Sequence, residues 1–160
     1  MITVRVATPE DSEAILEVSN LAVAILRKTY LPKKAVQINR PHGEGVRTRL
    51  VALVDDRVVG TVQYAERGDG IHLIGLFVHP QFQRQGIAHQ LVQFMVDVGR
   101  QNEARCLSVN TVKETGNVQI FRRLGFEVIF EAADQRSESD IYEQLTDVYM
   151  EMQIERSLPR

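Results

Sequence analysis

The segment Leu76-Phe77-Val78-His79-Pro80-Gln81-Phe82-Gln83-Arg84-Gln85-Gly86-Ile87-Ala88-His89 decides how the chain is read. An apolar, β-rich run ends at His79-Pro80. From Gly86 onward Ile87, Leu91, Met95 and Val98 recur at the spacing of one helical face. A loop that enters a helix at a glycine exposes backbone N–H groups at the positive end of the helix dipole, which suits a pyrophosphate. Gly86 lets a ligand approach closely and Ala88 leaves the next turn uncrowded, while Gln83 and Arg84, just ahead of Gln85 and the glycine, add side-chain contacts. The segment is not a P-loop, since no Gly-Lys-Ser/Thr follows, and it is not the Gly-x-Gly-x-x-Gly of dinucleotide folds.

Working outward, residues 71–78 read as the strand that feeds this loop. Before it, 50–54 and 58–64 form a predicted hairpin turning at Asp55-Asp56-Arg57. A first strand ends near Ala7, where Thr8-Pro9-Glu10-Asp11 supplies an N-cap, a proline at the first helical position and early acids. The helix that follows carries Ile15, Val18, Ala22 and Ile25 on one face. Beyond the long helix, 106–110 returns as a strand. A short helix over about 117–124 is closed by Gly125 with Phe126 as its hydrophobic contact. Residues 126–131 and 145–154 supply the last two strands. Loops are expected over 32–45, 66–70 and 134–140. The order β, α, β meander, α-β-α-β-β predicts an α/β fold: a mixed, mostly antiparallel sheet flanked by helices, in one domain over 1–155 with a short tail at 156–160.

Composition narrows the function classes. With 160 residues, 44% apolar and 25% charged, the chain can bury one substantial core. Nineteen Lys plus Arg against 21 Asp plus Glu leave a net charge of −2, so no nucleic-acid or membrane partner is expected. The one cysteine, Cys106, sits among apolar neighbours and reads as a small buried hydrophobe. The N-terminus alternates like a strand and lacks a long apolar run, so a cytoplasmic location is expected. His42, His79 and His89 have no carboxylate or cysteine at ligand spacing, and no metal is assigned.

The pattern Gln83-x-x-Gly86-x-Ala88, after a strand ending in Val78-His79-Pro80, resembles the acetyl-CoA pyrophosphate loop of the GNAT acetyltransferases. A second block, from Asn117 through Phe121 to Leu124-Gly125-Phe126, resembles the family's last helix with its Leu-Gly-Phe signature. The resemblance covers nearly the whole chain. It implies acetyl-CoA as acyl donor, a primary amine on a small molecule or peptide as acceptor, and a homodimer as one assembly the family often forms. In the family the strand matching 71–78 carries a bulge and splays from the strand matching 106–110, with pantetheine between them. Gly75 in mid-strand is compatible with that bulge. Backbone groups near Leu76, Phe77 and Val78 would then bind the pantetheine amides. Asn117 is either a contact to the cofactor arm or an ordinary N-cap. His89 reads as an exposed helical residue before it reads as a phosphate contact. Arg122 and Arg123 read as partners of the helix dipole before the 3′-phosphate of CoA.

One position departs from the family. Four residues before Gly125, where a tyrosine commonly protonates the departing sulfur, stands Phe121. Tyr142, Tyr149 and water are the alternatives for that proton. Two functions follow: an N-acetyltransferase, or a degenerate GNAT domain that binds acyl-CoA as a sensor or interaction module. A third, acetylation of aminoacyl-tRNA, is disfavoured by the net charge. His72, eleven residues before Gln83, stands about where several relatives carry a catalytic glutamate and is the candidate base, with Glu66, Asp69 and water competing. Strand alternation puts His72 on one face with Ile74, Leu76 and Val78. An imidazole at its ordinary value of about 6.5 would accept a proton near neutral pH.

Overall fold

Thr8-Pro9-Glu10-Asp11 ends the first strand and starts the first helix. The computed structural model, which describes residues 1–33 and 44–155, has Ile2–Val6 as β1 and Ser12–Leu26 as α1, joined by a 3-10 turn over Pro9–Asp11. The Asp11 carboxylate accepts the Thr8 N–H at 2.7 Å and both terminal nitrogens of Arg5 at 2.7 and 3.0 Å. The Arg5 guanidinium and the Thr8 N–H hold that carboxyl far below the usual carboxylate range. Val18 is fully buried against Val51 and Val58, with Ile15 packed beside it. Ile25, expected on the same stripe, is 46% exposed, so the packed face ends before the helix does.

Leu31–Pro32 (β2) follows, and Thr48–Val54 (β3) opens the meander. Asp55 and Asp56, at φ 48° and 62°, make the two-residue hairpin turn into Arg57–Arg67 (β4). Gly70–Val78 is β5, Ile87–Gln101 is α2, Cys106–Val112 is β6 and Asn117–Leu124 is α3. Glu127–Ala133 (β7), Ser137–Glu138 (β8) and Thr146–Gln153 (β9) complete the described elements. Ser137–Glu138 falls within the loop expected at 134–140 and pairs with β2. Lys34, His42, most of the loop expected at 32–45 and the tail at 156–160 lie outside the described residues.

Seven strands form a mixed sheet in the order β1-β3-β4-β5-β6-β9-β7, antiparallel throughout except where β5 and β6 run parallel. On one face α2 buries Ile87, Leu91 and Met95 against Leu50, Val62, Leu73, Leu107 and Met150. Each such side chain contributes roughly 1.5–3 kcal/mol when removed from water. On the other face α1 covers β4 and β5. The first turn of α2 can seat only because Gly60 has no side chain: a Cβ there would lie 2.7 Å from Ile87 Cγ2.

A bulge in β5 changes which residues share a face. Val62 pairs with Leu76 and Tyr64 with Leu73, so two steps of β4 oppose three of β5, and the extra residue falls at Ile74-Gly75, with Gly75 at φ 84°. Upstream of it Ile71 and Leu73 face α2. Downstream Leu76 and Val78 do, while Phe77 joins the α1 side. The alternation that put His72 with Leu76 and Val78 is therefore broken. His72 opposes Ala65, and Phe77 opposes Thr61 on the same face of β4.

Candidate active site

The parallel strands β5 and β6 pair at only two rungs, Ile71 with Leu107 and His72 with Ser108. Yet β5 continues to Val78 and β6 to Val112. Past His72 the two edges part, leaving a V-shaped opening between neighbouring strands, its walls made of main chain not paired across the gap. A bulge bends its strand and strengthens the local twist, so the one at Gly75 steers β5 away from β6. Leu76, Phe77 and Val78, half-buried, form the β5 wall.

At the closed end His72, 5% exposed, has Nδ1 2.8 Å from Ser108 Oγ. Burial pushes the imidazole down to about 4, the nearby Arg67 cation adds to the fall, and Glu44 opposes it. The ring is neutral at physiological pH, and the value near 6.5 expected from sequence does not hold. Glu66 and Asp69, the competing carboxylates, lie exposed about the β4–β5 turn, where Asp69 is held by Arg105 at 3.1 Å.

At the open end β5 runs into the loop. His79 is buried: its N–H donates to Val59 O, its Nδ1 accepts Gln81 N–H at 3.1 Å, its ring meets Phe82 edge-on, and Arg57 lies over the Phe82 ring. This cluster anchors the loop. Arg84 and Gly86 then take left-handed φ values of 63° and 84°, and α2 makes its first backbone bond from Gln90 N–H to Gly86 O. The N–H groups of Ile87, Ala88 and His89 precede that bond and have no intrahelical acceptor. Gln83, Arg84, Gln85, Gly86 and His89 are exposed and Ala88 is half-buried. The structure thus brings the residues predicted for an anion together at one helix start.

A model of the acetyltransferase (GNAT) family matches residues 16–126, a span that holds the splayed strands, the loop and α3. The chain belongs to this family. Three solved structures share its fold. The ribosomal-protein-S18-alanine N-acetyltransferase of Escherichia coli superposes with a TM-score of 0.71 at 13% identity, over 98% of this chain and 96% of that one. The protein smu.2055 of Streptococcus mutans UA159 gives 0.75 at 16% identity, over 96% and 99%. The protein yncA of Salmonella typhimurium, solved with its cofactor acetyl-CoA, gives 0.69 at 18% identity, over 100% and 98%. No curated protein matches the chain by sequence.

Other positions of this GNAT chain fall less neatly. Asn117 is the first helical residue of α3, half-buried, and the cap position belongs to Gly116 at φ 83°, so Asn117 is not an N-cap. Its N–H donates to Thr115 Oγ1 at 3.2 Å. Phe121 is buried in the main core, edge-on to Phe126 at 5.6 Å. Arg122 and Arg123 stand exposed in the last turn of α3, the end where basic side chains favour the helix dipole. The Tyr149 hydroxyl donates to Glu151 at 2.7 Å, and Tyr142 is 41% exposed in the β7–β9 connection. Cys106 is a buried free thiol raised by burial, with Glu151 adding to the rise. Among the described residues no three His, Cys, Asp or Glu side chains gather as a metal site, and no helix is long and apolar enough to cross a membrane. Sequence reasoning missed Ser108. Alternation along β6 separates it from the core-facing Leu107 and Val109, but nothing local reveals that it meets a residue 36 positions earlier.

Proposed function

We propose that the chain is an N-acetyltransferase moving the acetyl group of acetyl-CoA to a primary amine by direct attack. The observation that carries this reading is one opening with the His72–Ser108 pair at its closed end and, at its mouth, a helix start whose first N–H groups have no intrahelical acceptor. Val78 lies six strand steps beyond His72, roughly 20 Å at an extended rise, so an extended arm with phosphates at one end and a thioester at the other suits that span. Ile87, Ala88 and His89 N–H groups bind the pyrophosphate with help from Gln83, Arg84 and Gln85. Main chain of Leu76, Phe77 and Val78 binds the arm, Asn117 flanks it, and Phe121 supports the wall by packing alone.

In the reaction the neutral amine attacks the thioester carbonyl, a C–N bond forms, and the C–S bond breaks. The amine proton passes through water to His72 Nε2, in the tautomer whose Nδ1–H donates to Ser108 Oγ. An imidazole held near 4 relays that proton rather than storing it. CoA leaves as a thiolate with a pKa near 8.5 and is protonated by water, so Phe121 costs rate without stopping turnover. One domain over 1–155, a cytoplasmic location and action on a small-molecule or peptide amine belong to the same reading. The E. coli fold relative is named for a ribosomal-protein alanine, so protein and small acceptors both stay in the test.

Phe121 in the usual tyrosine position favours one second reading, a domain that binds acyl-CoA without transferring its acyl group. Free-thiol release from acetyl-CoA with a broad amine panel, run beside acetyl-CoA binding by thermal shift, separates the two. Turnover establishes the transferase; binding with no turnover on any amine leaves the module.

A further inference from the structure

The His72–Ser108 pair does not end at Ser108. On β9 Tyr149 and Glu151 alternate onto one face of the sheet, and the register sets Glu151 directly opposite Ser108 with Tyr149 on the diagonal, within reach of a long aromatic side chain. Tyr149 is turned towards Glu151: its hydroxyl donates to Oε2 at 2.7 Å, and its ring stacks on Phe130 with centroids 5.1 Å apart. Arg105 closes the row, with Nη1 and Nη2 at 3.3 and 3.4 Å from the two carboxylate oxygens. Tyr149 and Arg105 hold the Glu151 carboxyl below its ordinary range, so it is ionised at neutral pH.

An ionised carboxylate only accepts hydrogen bonds, and that fixes the direction of every bond behind it. Tyr149 spends its one proton on Glu151 and keeps its lone pairs for a donor. Ser108 supplies that donor. Burial raises the Tyr149 phenol and its bond to Glu151 adds to the rise, whereas the Ser108 hydroxyl lowers it, the sense expected of a group that donates to the phenol oxygen. With its proton turned to Tyr149, Ser108 Oγ can only accept from His72 Nδ1, 2.8 Å away. The charged groups that act on the ring, Arg67 and Glu44, are paired with each other at 3.2 Å. The choice of tautomer therefore falls to the Ser108 side.

The geometry points to Glu151 as a positioning residue: through Tyr149 and Ser108 its carboxylate holds His72 in the Nδ1–H tautomer and leaves Nε2 as the proton acceptor. This rests on the acetyl-transfer reading above and deepens it, by naming what prepares the base. The test is long-range proton–nitrogen NMR correlation of the histidine rings in the full chain, for wild type, Tyr149→Phe and Glu151→Gln, with His72→Gln to assign the signal. Thiol release from acetyl-CoA with the amine panel is measured beside it. Wild type should show the Nδ1–H ring. Both variants should mix in the Nε2–H form and lower kcat by about tenfold, with acetyl-CoA affinity and acceptor KM nearly unchanged. A wild-type ring protonated on Nε2, the same tautomer in all three proteins, or a wild-type kcat in both variants overturns the inference. If one variant does not fold the other carries the comparison, and if neither folds the wild-type tautomer decides alone. An Nδ1–H ring that shifts in both variants, with no thiol release from any amine, would end the transferase reading and leave the hydrogen-bonded row; thiol release by a protein whose ring is protonated on Nε2 would do the reverse.

Discussion

His72 Nδ1 lies 2.8 Å from Ser108 Oγ on the last rung at which β5 and β6 pair, so the one buried imidazole of the sheet's parted strands is held where the opening begins. A proton acceptor at that point is rigid, neutral and next to the space an acetyl group would fill. His72→Ala should lower kcat by about 10²-fold and leave acetyl-CoA affinity nearly unchanged. Ser108→Ala, which frees the ring to turn, should cost about tenfold. Both losses should shrink towards pH 9 as free amine becomes abundant. Wild-type kcat in His72→Ala from pH 6 to 9 on a confirmed acceptor removes His72 from the mechanism.

The same burial gives stability a pH dependence. An unfolded histidine titrates near 6.5 and the folded His72 near 4. Between those values the unfolded chain binds a proton that the folded chain refuses, so stability falls as pH drops through this window and is flat above it, by up to about 3 kcal/mol. Asp147, whose carboxyl is raised by burial, acts in the opposite sense near the lower end, and Asp11 acts only below the usual carboxylate range. Melting at pH 7 and pH 5 should show a larger drop for wild type than for His72→Gln. Equal drops would mean that the ring protonates freely in the folded state.

Gly86 stands at φ 84° with open space where a Cβ would point. Gly86→Ala should therefore cost only backbone strain, about 1–2 kcal/mol, and weaken acetyl-CoA modestly. Gly86→Glu would place a carboxylate where the pyrophosphate is proposed to bind and should abolish binding. A folded Gly86→Glu protein with wild-type affinity would show that the phosphates bind elsewhere.

Gly60 is a remote control on the same loop. A methyl group there meets Ile87 at 2.7 Å, and Ile87 is the first residue of α2. Gly60→Ala should lose about 1–3 kcal/mol of stability through overpacking and also raise the acetyl-CoA Kd, measured below the melting range. Lost stability with unchanged Kd would show that α2 shifts without carrying its N-terminus along.

Local signals in the sequence determined much of this protein by themselves. Asp55-Asp56 wrote its own hairpin because both residues tolerate left-handed φ. The stripe Ile87, Leu91, Met95 placed α2 on the sheet, and Gly86 marked the helix start, all within a few residues of one another. The N-cap alternative for Asn117 falls because Gly116, a residue with no side chain to signal it, takes the left-handed cap position. Only the tertiary structure decided the rest. The bulge at Gly75 turns Leu76 and Val78 to the α2 face, which strict alternation cannot foresee, because one extra residue reverses every side chain beyond it. The meeting of His72 with Ser108, the fall of its pKa by burial, and the bond from Ser139 to Thr29 O join residues far apart in the chain. Those contacts depend on the register of strands and the seating of helices, which are settled by packing the whole core at once rather than by any segment alone.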